Sequence, residues 1–185
     1  MTHLAFPATA MGRIETALAA PEAGLSPLDS LIGRRLDLQA FCAVLKSPPT
    51  GGPGLARALA AAAAAYLAED FLFLVAEEED NLLPLLQRRL LLGDDMDELF
   101  RQLSDEHSQD RAQALALAAQ CRDFAAGGAG DWPDLCEALG QFAERQRRHL
   151  VWEDATILPL ARARLSGDDM QKWRSQLQTR RARHG

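Results

Sequence analysis

The sequence is poor in the residues that make covalent frameworks, sheets and membrane spans. Its 185 residues include three cysteines, Cys42, Cys121 and Cys136, far apart and with no C-x-x-C pair. That suits small buried thiols in a reducing compartment better than a disulfide framework, so a cytoplasmic location is expected. Aromatic residues are only 6% of the chain, with a single tyrosine, and runs of β-branched residues with period two are scarce. A sheet protein is therefore not expected. No uninterrupted apolar run approaches the roughly 18 residues of a membrane span. The Ala-rich N-terminus is broken by Arg13 and Glu15, so no signal peptide is read there. Basic excess is also missing. The formal net charge is -6, which argues against non-specific nucleic-acid binding.

What the chain does have is helix-forming sequence cut by strong punctuation. Hydrophobic residues make up 48% and charged residues 25%, an ordinary globular balance. Residues 1–25 read as an irregular arm, with room for one short helix near 9–20. Ser26-Pro27-Leu28-Asp29 reads as a capped helix start, and the helix should reach Lys46 before the Pro/Gly-rich stretch from Ser47 to Gly54. A second helix is expected from Leu55 to Leu92, kinked or broken by Pro84 and closed by Gly93. A third should run from Asp95 to Ala125, and a fourth from Asp131 to Leu165, interrupted by Pro159. Ser166-Gly167-Asp168-Asp169 is a second capping box and opens a last helix to about Arg183. Long helices joined by short loops predict an all-α, antiparallel up-down four-helix bundle over residues 26–165, with the arm before it and a C-terminal helix and tail, 166–185, after it.

The fourth helix carries His149-Leu150-Val151-Trp152-Glu153. A histidine and a glutamate four apart share a helix face, and an imidazole with a carboxylate can grip one divalent cation. Helix bundles build metal sites from such inward-facing side chains. The pair has a partial echo. His149, Glu153 and Pro159 repeat the spacing of Leu74, Glu78 and Pro84, with acidic Asp154 and Glu79 beside the two glutamates. The third helix adds Asp105-Glu106-His107.

With these residues the sequence resembles the hemerythrin-like, or HHE cation-binding, domains over about residues 26–165. That family places a histidine on the first helix, H-x-x-x-E on the second, a histidine on the third and H-x-x-x-E on the fourth, with two glutamates bridging two irons. The resemblance implies metal ligands at Glu78, His107, His149 and Glu153. It also exposes two departures: Arg35 stands where the first-helix histidine belongs, and Leu74 where the second-helix histidine belongs. Both fall on the same metal. Reversible dioxygen binding, which in the family uses both metals, is not expected.

Three outcomes stay open. One divalent metal, iron or zinc, is held by Glu78, His107, His149 and Glu153. Alternatively no metal binds, and the Arg35 guanidinium compensates the two glutamates in a metal-free interaction or regulatory module. In the third outcome the residues form an ordinary polar seam. The functional expectation is a reduced, one-metal domain for metal, redox or small-ligand sensing, without an enzymatic nucleophile. The metal ion is its expected partner, with a homodimer or protein partner using the last helix.

The remaining features have simpler readings. Part of the acidic run Glu77–Asp80 should be solvated, as should Ser104, Ser108, Arg145, Arg147 and Arg148. Trp132, Trp152 and Trp173 should serve packing. His3 and His184 lie near the ends, off the motif, and the basic tail Arg180–Arg183 favours its helix C-terminus.

Overall fold

The computed structural model describes residues 25–48 and 50–184, with side chains described up to residue 179. The expected short helix near 9–20 lies outside the described residues, as do His3 and the side chains of the basic tail and His184.

The described chain is all-helical, with five helices: α1 (Pro27–Lys46), α2 (Pro53–Gln87), α3 (Asp97–Ala125), α4 (Trp132–Arg164) and α5 (Gly167–His184). The punctuation works as its chemistry requires. The Asp29 amide donates to Ser26 Oγ at 3.1 Å, and Pro27 occupies the first turn of α1. At the end of α3, Gly127 takes φ +90°. Its amide bonds to Phe124 O at 3.1 Å, and the Gly128 amide bonds to Asp123 O at 2.9 Å, a Schellman closure. In the second capping box Ser166 N donates to Asp169 Oδ2 at 2.9 Å.

Two boundaries differ from expectation. α2 stops at Gln87, because the apolar letters Leu91 and Leu92 lie in an exposed turn rather than on a helix face. α3 starts at Asp97, since Asp95 adopts φ +45° in that turn. The prolines also behave differently from each other. Before Pro84, the helix widens into a π turn over Glu78–Leu82, with the Leu83 amide reaching back to Glu78 O. Widening accommodates a ring that cannot donate and that crowds the preceding turn. A second π turn covers Leu67–Phe71. Pro159 does not interrupt α4, which runs through it as one helix.

The core lies between the long helices. α1 packs along α4, the first half of α2 packs along α3, and α3 meets α4. Leu31, Leu67, Phe71, Phe100, Leu103 and Phe142 are fully buried there. Phe71 meets Phe142 edge-on, with centroids 5.2 Å apart. α5 folds back on α1 and on the π turn Glu78–Leu82 of α2. Its Trp173 is buried at 0% exposure and Leu177 is buried beside it, so this apolar side is used within the chain. One correction concerns hydropathy: α2 does contain a stretch apolar enough for a membrane span by composition, with mean hydropathy 1.7, of which 44% is buried inside the fold.

Candidate metal centre

The centre is assembled from four helices. α1 supplies Arg35, α2 supplies Glu77, Glu78 and Glu79, α3 supplies Glu106 and His107, and α4 supplies His149, Glu153 and Asp154. The π turn that begins at Glu78 explains how neighbouring glutamates on one helix all find inward partners. A widened turn changes the directions of successive side chains. Glu77 is fully buried and paired to Arg34 Nη2 at 2.7 Å. Glu78 faces the centre, and Glu79 Oε1 meets His107 Nδ1 at 2.5 Å. Only Asp80 of the acidic run is exposed, so less of that run is solvated than its composition suggests.

Arg35 lies in the interior at 2% exposure. A single nitrogen, Nη1, donates to Glu78 Oε1 at 2.6 Å and to Glu153 Oε2 at 2.5 Å. Its Nη2 donates to Asp154 Oδ1 at 2.9 Å and to Leu150 O at 3.3 Å. Burial works against the guanidinium charge, but Glu153 and Glu78 more than offset it, and Arg35 is held more firmly protonated than usual. A truncated partner here would strand a buried charge, at a cost of about 3–5 kcal/mol.

On the opposite side of the two glutamates stand the histidines. His107 Nε2 and His149 Nε2 are 3.1 Å apart. His149 Nε2 is 3.3 Å from Glu153 Oε2. His107 Nε2 is 3.7 Å from Glu153 Oε1 and 3.6 Å from Glu78 Oε2. The outer nitrogens are engaged too: His149 Nδ1 lies 3.1 Å from Glu106 Oε2, and Ser104 Oγ donates to Glu79 at 2.9 Å. Carboxylates on both Nδ1 atoms put protons there and leave the Nε2 atoms pointing inward, the orientation of metal-binding histidines with their outer-shell carboxylates.

The electrostatics divide the two glutamates. Burial raises the Glu78 carboxyl, and the neighbouring Glu153 charge raises it further, against the pull of Arg35. Burial opposes the Glu153 charge as well, but the adjacent His107 and His149 imidazoles and the Arg35 guanidinium hold Glu153 well below the usual carboxylate range. For His107, burial favours the neutral ring, yet the adjacent Glu153 carboxylate, the bond to Glu79 and the Glu78 charge outweigh it, raising the imidazolium to about 10. His149 is raised by Glu153 against the same burial effect.

The two halves of the centre fit a metal differently. Ligand bonds of about 2.0–2.2 Å set neighbouring donor atoms about 3–3.6 Å apart. The contacts among His107, His149, Glu153 and Glu78 span 3.1 to 3.7 Å. One donor atom from each of His107, His149 and Glu153 falls within a 4.8 Å group. This half fits one cation, with Glu78 at its edge. The other half does not fit: Leu74 is buried at 2% exposure without a donor atom, and Arg35 presents only N–H groups to the glutamates.

Sequence reasoning missed Glu106, Ser104 and the role of Glu79. Glu106 and Glu79 each precede or follow a candidate ligand, which is the only signal they offer. Ser104, expected on the helix surface, is half-buried against Glu79. Arg145, also expected at the surface, pairs with buried Asp110 at 2.7 Å.

No curated protein and no solved structure matches the chain. The Hemerythrin HHE cation binding domain family matches residues 34–161, a span that begins just before Arg35 and ends just after Pro159. Together with the helical fold and the His/Glu cluster, that match over more than half of its length identifies the chain as a member of the hemerythrin HHE cation-binding domain family.

Proposed function

We propose that this chain is an antiparallel four-helix hemerythrin-like bundle that binds a single divalent cation, iron or zinc, through His107, His149, Glu153 and Glu78, while the Arg35 guanidinium takes the place of a second metal. The observation that carries the reading is the asymmetry across the two glutamates. One side meets Arg35 Nη1 at 2.6 and 2.5 Å, and the other meets two imidazoles whose Nε2 atoms are 3.1 Å apart. The pairing of α1 with α4 and of α2 with α3 supports the bundle topology.

A bound cation would supply Lewis acidity and a coordination position for a small ligand. Arg35 neutralises the glutamates' charge on its own side. Glu79 and Glu106 orient the imidazoles. The role that follows is ligand, metal or redox sensing, in a reducing, cytoplasmic setting suited to three free cysteines. Two-metal dioxygen carriage does not follow, because Arg35 and Leu74 stand on the second metal's side. A homodimer or protein partner would engage faces of α5 other than the one holding Trp173.

The test is elemental analysis of protein purified without nickel or chelator, followed by titration with zinc and iron(II). One equivalent per chain, abolished in His149→Ala, is expected. No stoichiometric metal after loading overturns the reading. A metal-free module, in which Arg35 and protonated His107 together balance the glutamates, is the second reading. It is favoured by the raised His107 imidazolium and by the completeness of the Arg35 bonds.

A further inference from the structure

A cleft of about 430 Å³ opens between α3 and α4, reaching His149. That volume is in the range of small-molecule sites. Its walls include Glu106, Asp110, Arg145, Arg148 and Trp152. The hydrogen-bonding state of these walls is one-sided. Every carboxylate oxygen is occupied: Glu106 Oε1 by Gln102 Nε2 at 3.0 Å, Glu106 Oε2 by His149 at 3.1 Å, Asp110 Oδ1 by Arg145 at 2.7 Å and Asp110 Oδ2 by Gln146 at 2.6 Å. The donors are not used up. Arg145 Nη2 is buried without a partner. Arg148 is exposed, with no hydrogen bond or ion pair among the described residues. A buried unpaired donor is costly and calls for an acceptor.

We propose that this cleft binds a small organic oxyanion, a carboxylate or phosphate on a flat apolar body. Arg148 takes the oxyanion in charge-assisted bonds, as a guanidinium group is suited to do, and the Arg145 guanidinium on the same wall adds positive charge beside it. The half-buried indole of Trp152 lines the apolar side. An occupant would rest against the Glu106–His149 bond, beside the candidate metal centre. The proposal does not depend on a cation being bound there, since neither Arg145 nor Arg148 is among the groups that hold Glu78 and Glu153.

The test is a titration of the full chain with benzoate, phenyl phosphate and inorganic phosphate, followed by NMR of the tryptophan indole and arginine side-chain N–H signals. It is run on EDTA-treated and on zinc-exposed protein, so that failure to bind zinc is scored separately from failure of the cleft. Saturable shifts at Trp152 and Arg148 with an aromatic oxyanion are expected in both preparations. Benzoate binding tighter than phenyl phosphate identifies a carboxylate ligand, and the reverse order a phosphate. Arg148→Gln, an exposed change that leaves the core intact, should weaken binding about tenfold. Trp152→Leu should weaken phenyl phosphate more than inorganic phosphate. Absence of shifts with all three probes, unchanged affinity in Arg148→Gln, or binding of inorganic phosphate alone overturns the proposal.

Discussion

His107 and His149 turn their Nε2 atoms toward each other across 3.1 Å, while each presents its Nδ1 to a separate carboxylate, Glu79 or Glu106. Two neutral rings in this arrangement would oppose lone pair to lone pair. A proton or a metal ion between them removes that conflict. The pair is therefore set up for a cation, and the experiments below ask which one and what holds it.

Replacing Arg35 by leucine removes the guanidinium that bridges Glu78 and Glu153. Two buried carboxylates are then left with too little positive charge, and unfolding free energy should fall by about 3–5 kcal/mol in metal-free protein. Urea denaturation measures it. Zinc should restore part of the loss in the variant, visible as a midpoint that rises with zinc concentration. A variant as stable as the parent without metal would show that Arg35 is not what compensates the glutamates.

The double change Arg35→His with Leu74→His supplies imidazoles at both departing positions. Metal stoichiometry should rise from one to two per chain, read by elemental analysis after anaerobic iron loading. Leu74→His alone places a polar ring in a site only 2% exposed and should destabilise without adding metal. Equal stoichiometry in the double variant and the parent would mean that the missing side chains are not what limits the second position.

α5 should respond to acid. Arg89 lies 2.9 Å from Asp169, and this contact, with the Ser166 bonds, outweighs burial and holds the carboxyl well below its usual range. A depressed carboxyl contributes fully above its unfolded pKa of about 3.9, and its contribution drains away as pH falls through the folded value. Trp173 emission should therefore stay blue-shifted at neutral pH and move to the red only in strong acid. Asp169→Asn should weaken the cap by about 1 kcal/mol and make the Trp173 transition less dependent on pH. An identical acid profile in the variant would rule out Asp169 as the responsible group.

The thiols should differ in reactivity. Burial pushes Cys42 up to about 12 and Cys121 up to about 11, while half-buried Cys136 is raised by a milder burial. Since the thiolate is the reactive form, iodoacetamide at mildly alkaline pH should modify Cys136 first. Peptide mass spectrometry gives the order, and early labelling of Cys42 would indicate opening of the α1–α4 interface.

Much of this was legible in the letters, for identifiable reasons. Capping chemistry is local, so Ser26–Asp29 and Ser166–Asp169 announce their helices directly. The departures at Arg35 and Leu74 are visible as letters in register, although only the fold places Arg35 Nη1 between two carboxylates. Partnerships across helices have no local signature. Nothing beside His149 points to Glu106 on α3, and nothing beside Asp110 points to Arg145 on α4. Exposed Leu91 and Leu92 misled in the opposite direction, extending an apolar pattern beyond the point where the backbone turns.

The widened turn at Glu78–Leu82 has a consequence for comparing the two halves of the chain. Glu78 stands as far from Pro84 in sequence as Glu153 stands from Pro159, so the segments align without a gap. One segment passes through a π turn and the other through regular α-helix. Equal spacing along the chain is thus unequal rotation around the helix axis. Transplanting residues 149–159 onto positions 74–84 would keep the spacing from glutamate to proline and still aim its side chains by a different clock. A single-residue deletion within residues 79–82, which restores regular winding, would swing Glu78 away from His107 more surely than many substitutions.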